Sequence, residues 1–123
     1  MRVSIGDVSC PTGSNCTWKL AVAGSIAAQG KITVINYGGA WPDYVFHRGY
    51  HLRPLSEVGR YVQAFHHLPD VPSAAQVQAN GVELVEMNAV LLKKVEELTL
   101  YLLQLQTANQ ALTERVAKLE APK

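Results

Sequence analysis

The residues of this chain that could do chemistry are few: four histidines, two cysteines, and acids and hydroxyls scattered along 123 residues. His66 and His67 are adjacent, and with His47 and His51 they form the only cluster that suggests metal binding or acid–base work. A zinc hydrolase of the H-E-x-x-H type sets two histidines on one helical face beside a glutamate, and nothing of that type occurs. Neighbouring side chains in an H-H-L-P turn point in different directions, so one imidazole is expected to pack or cap while the other meets solvent. Cys10 and Cys16 bound the turn CPTGSNC, where a disulfide and a pair of reduced thiols are both open readings. Two sulfurs supply only half of a tetrahedral zinc site, and the histidines lie far along the chain. Asn15-Cys16-Thr17 fits the common glycosylation triplet.

Nucleophiles and phosphate loops fare no better. Ser25 and Ser56 lack a G-x-S-x-G setting, and no Lys-Ser or Lys-Thr follows Gly24 or Gly38-Gly39 to make a phosphate loop. Glu57 belongs in the first turn of a helix, where the dipole favours it. Glu96 and Glu97 read as solvent-facing, and Asp43 beside Trp41-Pro42 reads as a turn cap. The expectation is a protein with no catalytic residues, no metal and no cofactor. The aromatic run Trp41, Tyr44, Phe46, Tyr50 reads as core or subunit interface, and Trp41, Asp43 and Tyr44 are the candidate surface for a glycan or a protein.

The elements that would position these residues fall into three zones. Hydrophobic residues make up 48%, charged residues 17%, and the net charge is +1. That composition argues against a disordered tail and against a general nucleic-acid binder. No run of 18 apolar residues exists, so membrane insertion is not expected, and no signal peptide is visible. Residues 1–46 alternate short apolar pairs (Val3 and Ile5, Leu20 and Val22, Ile32 and Val34) with glycine-rich turns, which predicts thin β-strands that cannot stand alone. Residues 47–82 predict two short helices. The first has Ser56 as N-cap, an apolar face of Val58, Tyr61, Val62 and Phe65, and an end near His66-His67 ahead of Pro69 and Pro72. The second is capped by Ser73 and terminated at Asn80-Gly81.

Residues 83–120 carry the strongest signal. Leu84, Leu91, Leu98, Leu105, Leu112 and Leu119 recur every seventh residue, and with these at d the a positions are Asn88, Val95, Leu102, Asn109 and Val116. A helix with this stripe exposed would associate. The asparagines at a are compatible with two strands, whereas Val85, Met87, Leu92 and Tyr101 at the flanks widen the face, which suits three helices or a helix packed against the preceding β-zone. Arg115 at g and Glu120 at e have the spacing of an interchain pair in a parallel bundle.

Five ordered blocks add a resemblance: Asp43–Phe46, Tyr50–Val58, His67–Val77, Gly81–Met87 and Leu91–Tyr101. They are similar to the C-terminal segment of tail-fibre-like proteins of Bacteroidetes, with its H-L-P-x-(V/I)-P-S-A-x-E-V and L-L-x-K-(V/I)-E-E-L-T-L-Y series. Val85 and Gln76 depart from the usual Gly and Glu. The resemblance implies a structural trimerisation and fibre-end module on a phage-like particle or cell surface. Its partners would be two further copies of itself, other fibre components, or a surface glycan if the module is an adhesin. The expected fold is α+β: short strands of residues 1–46 intertwined in a trimeric head or shaft, a helical transition over 47–82, and a long parallel trimeric coiled coil over 83–120.

Overall fold

The computed structural model describes residues 3–6 and 17–122 and divides into two compact units, residues 1–36 and 37–123. The first unit holds β1 (Val3–Ile5) and β2 (Leu20–Val22), paired in parallel with Val3 opposite Leu20 and Ile5 opposite Val22. Bonds from the Val3 N–H to the Lys19 carbonyl (2.6 Å) and from the Ala23 N–H to the Ile5 carbonyl (2.7 Å) extend the ladder at both ends. Gly6 (φ +85°) lets the chain turn against Ala23, whose Cβ lies 2.9 Å from where a side chain at residue 6 would begin.

An intertwined β-rich head is not the fold. The sheet has two strands, and Ile32, Val34 and Ile35 lie in no strand and are 77%, 55% and 78% exposed. Alternation marks which side chains could share a face, but it names no pairing partner. A two-stranded ribbon whose only buried side chain is Ala21 offers a third strand no face to cover.

The second unit is helical: a 3-10 turn at Pro42–Phe46, α1 (Leu55–Phe65), α2 (Ala74–Asn80) and α3 (Leu84–Glu120). The N-cap of α1 is Pro54 rather than Ser56. Its φ near −56° suits a helix entry, and its carbonyl accepts from the Glu57 and Val58 N–H groups. α1 ends at His66 in the left-handed region (φ 60°), just ahead of the Leu68–Pro72 loop. Ser73 caps α2 through a complete capping box. Its hydroxyl accepts from the Gln76 N–H (3.2 Å), and its own N–H donates to Gln76 Oε1 (2.8 Å). Gly81 (φ 72°) follows α2, and Glu83 caps α3 by accepting from the Val85 and Glu86 N–H groups.

α3 runs 37 residues, about 55 Å, without a break. It is not a free-standing coiled-coil stalk. The first half is a platform that the 3-10 turn Pro42–Phe46 and the segments on either side of α1, through Tyr50, Arg53 and Asp70, reach from the same chain, and the helical b, c, f and g positions make the contact. Ala89, Glu96 and Tyr101 are buried there, with Val90, Lys93, Lys94, Glu97 and Leu100 half-buried. Pro42 and Val45, almost fully buried, seal the 3-10 turn onto this face. Tyr101, read from the sequence as widening an intermolecular seam, is spent inside the chain.

Candidate functional site

α3 therefore has two working faces. Side chains at a and d, from Leu84 to Leu119, stay exposed: Leu84 is 72% accessible, Leu102 65% and Leu105 56%. Asn88 turns its amide back to the Leu84 carbonyl (2.9 Å), so even the first seam asparagine is satisfied within its own helix. The opposite face holds a polar cluster. Tyr50 Oη donates to Glu97 Oε1 at 2.5 Å, and Lys94 Nζ donates to Glu97 Oε2 at 2.9 Å and to Asp70 Oδ2 at 3.3 Å. Lys93 Nζ reaches the same Asp70 oxygen at 3.5 Å, and Tyr101 Oη donates to the Arg53 carbonyl at 2.6 Å.

These bonds border a cavity of about 350 Å³ between the 50–70 segment and α3, with Leu55, Val58, Leu68, Pro69 and Leu98 as its apolar lining. Burial, reinforced by the Glu97 carboxylate, pushes the Tyr50 phenol well above its ordinary range. Burial and Glu97 also raise Tyr101, against the pull of Lys94 and Arg53. Burial of Asp70 acts to raise its carboxyl, but Lys94 and Lys93 outweigh it, and Asp70 titrates below its ordinary value. Each charge in the cluster has a counter-charge, and each phenol spends its proton on an acceptor. As built, the arrangement holds Tyr50, Arg53 and Asp70 to the helix.

A second polar contact lies where the 3-10 turn meets α3. Glu96, read as solvent-facing, is only 7% exposed, and its Oε2 has no hydrogen-bond partner. Burial first, then the charge of Asp43 beside it, push the Glu96 carboxyl up. Asp43, in the first turn of the 3-10 helix, is exposed, as are Trp41 (52%) and Tyr44 (37%). The Tyr44 ring lies 5.9 Å from that of Tyr50.

The histidines separate as their turn geometry requires. His66 is the left-handed residue ending α1. His67 sets its ring edge-on to Tyr61 at 5.5 Å, and its Nδ1–H donates to the Leu68 carbonyl. No group of three or more His, Cys, Asp or Glu side chains able to hold a metal occurs among the described residues. Cys10 and Cys16 lie outside the described residues. The Tyr50–Glu97–Lys94–Asp70 cluster went unread because its members are far apart in sequence. The nearest local signals were Lys94 and Glu97 at i, i+3 and the acid held between Pro69 and Pro72.

No protein-family model, curated protein or solved structure matches this chain.

Proposed function

We propose that this chain is a structural self-assembly module, the end or a building segment of a fibre-like or surface assembly, in which three copies associate through the a/d seam of α3. The observation that carries the reading is the exposure of that seam. Leu91, Val95, Leu98, Leu102, Leu105, Leu112 and Val116 are each about half accessible or more along one side of an unbroken helix. A contiguous apolar stripe of this length is an interaction surface, and its period of 3.5 is the spacing with which helices pack on one another. The chain's own segments dock on the other side of α3, where the Tyr50, Arg53 and Asp70 contacts hold them. The resemblance read in five sequence blocks to tail-fibre-like proteins motivates the same reading.

Sedimentation equilibrium at micromolar concentration tests it. Three chains per particle are expected, falling to a single 13.4 kDa chain in Leu105→Glu plus Leu112→Glu, two positions beyond the docked face of α3. A native chain that sediments as a monomer overturns self-assembly, and a dimer overturns the three-copy count.

A further inference from the structure

α1 is tied to α3 at both ends and stands off it in between. Ahead of α1, the Arg53 carbonyl accepts from Tyr101 Oη at 2.6 Å; after it, Asp70 Oδ2 accepts from Lys94 Nζ at 3.3 Å. The 3-10 turn packs closely on α3, and the backbone of α1 does not. Leu55 and Val58 on one side and Lys94, Glu97 and Tyr101 on the other therefore border the cavity of about 350 Å³ instead of packing together. That volume falls within the roughly 300–1,000 Å³ of small-molecule sites. The two ties fix the frame without any ligand, and a preformed space spares a ligand the cost of ordering it.

The lining names the chemistry of an occupant. Leu55, Val58, Leu68 and Pro69 supply an apolar pocket. Of the fixed charges around it, Lys93 and Lys94 are offset by Asp70 and Glu97. Arg53 is the fifth, and among the described residues no carboxylate lies within 4.0 Å of it. Its guanidinium is half-buried over the Tyr61 ring, 5.8 Å from the centroid, and near enough to the Tyr101 phenol to oppose the rise of its pKa. Arginine cannot shed its proton, so the cavity carries one unmatched positive charge. The guanidinium fork matches a carboxylate through two parallel hydrogen bonds. Lys93, Lys94, Glu97 and Tyr101 hold c, f and g positions of α3, so this wall lies off the a/d seam, of which Leu98 borders the cavity.

We infer that this cavity binds a small amphipathic carboxylate, its apolar body among Leu55, Val58, Leu68 and Pro69 and its single negative charge paired with Arg53. The ligand fills the space that α1 and α3 leave between them and answers the one charge the chain leaves unmatched. A cation of the same shape meets repulsion there. The inference does not rest on self-assembly through α3, and either can fail without the other.

Isothermal titration calorimetry of the full chain with sodium decanoate, kept below its micellar concentration, is the test. Decyltrimethylammonium carries the same alkyl chain on a cation. One decanoate per chain is expected, bound about tenfold or more tighter than the cation. Arg53→Met should weaken decanoate about tenfold, and Arg53→Lys, which keeps the charge without the fork, about threefold. Neither change touches the Arg53 carbonyl that Tyr101 needs, so the tie at the start of α1 survives. Val58→Trp fills the cavity and should abolish binding, with circular dichroism confirming that helix content is kept; if helix is lost, the Arg53 variants decide alone. Leu105→Glu plus Leu112→Glu should bind as the native chain does. Several decanoates per chain, lost in that double variant, would mean adsorption to the exposed seam and overturn the site. Equal affinity for the two amphiphiles, unchanged binding in Arg53→Met, or no saturable uptake of decanoate would each overturn it as well.

Discussion

Glu96 on α3 is buried at the contact with the 3-10 turn Pro42–Phe46, sealed by Pro42 and Val45, with Asp43 of that turn beside it. Burial first, and then the nearby Asp43, push the Glu96 carboxyl above its ordinary range, so the folded chain holds the Glu96 proton more tightly than the unfolded chain does. The folded-state pKa of Glu96 lies above its ordinary 4.5, and the folded chain therefore keeps this proton where the unfolded chain has released it. The stability that the proton supplies is full below about pH 4.5 and falls as pH rises through the folded-state value. Glu96→Gln keeps a donor toward Asp43 and cannot ionise. Melting temperatures of native chain and variant should differ least near pH 4.5 and separate above it, with the variant the more stable. A native chain that gains on the variant between pH 5 and 8 would falsify the raised Glu96 carboxyl.

Tyr50 and Glu97 tie the segment before α1 to α3. Removing the phenol oxygen in Tyr50→Phe takes away a hydrogen bond to a charged acceptor, worth about 1.5–3 kcal/mol. Lys94 remains on Glu97 and limits the loss to the low end of that range. Urea unfolding of Tyr50→Phe, Glu97→Gln and the double variant should give a coupling of at least about 1 kcal/mol. Additive effects would mean that the 2.5 Å bond contributes nothing separable.

The capping box of α2 makes a smaller, local prediction. Ser73→Ala leaves the Gln76 N–H without its acceptor and should lower stability by about 1 kcal/mol. Gln76→Glu should be nearly neutral, because either side chain can accept from the Ser73 N–H. A large loss in Gln76→Glu, read by thermal unfolding, would show that residue 76 does more than cap.

Asn88 and Asn109 sit at a positions of the exposed seam, and Asn88 already bonds its own helix. Polar residues at a lower the stability of an assembly and restrict its register. Replacing both by Ile should raise the melting temperature of the assembled chain and broaden the range of species seen by native mass spectrometry. A double variant less stable than the native chain would contradict this role.

Much of the second unit was legible in the residue order, because its signals are local. The heptad series placed α3 within a residue or two of Leu84–Glu120, the H-H-L-P turn ended α1 at Phe65, and Ser73 with Gly81 bounded α2. Caps, proline restrictions and a sustained 3.5 period act within a few residues and need no distant partner to be read. The departure at Gln76 changed nothing structural, since a capping box takes either Gln or Glu.

The pairing of distant residues was decided by the tertiary fold alone. A heptad pattern shows which side of a helix is apolar, but it does not show that the b, c, f and g side of the same helix also binds its own chain. Once the 3-10 turn and the segments flanking α1 reach α3, Glu96 leaves water beside Asp43, Glu97 meets Tyr50, and Tyr101 meets the Arg53 carbonyl. None of these pairs has a signature in spacing, since the two Tyr contacts join residues 47 and 48 positions apart. The strands at Val3–Ile5 and Leu20–Val22 formed where alternation placed them, but none formed at Ile32 and Val34, and the intertwined head failed for the same physical reason. Alternation in residues 1–36 specifies faces, but strand pairing is a non-local choice, and a ribbon of two three-residue strands has no covered face to recruit Ile32 and Val34.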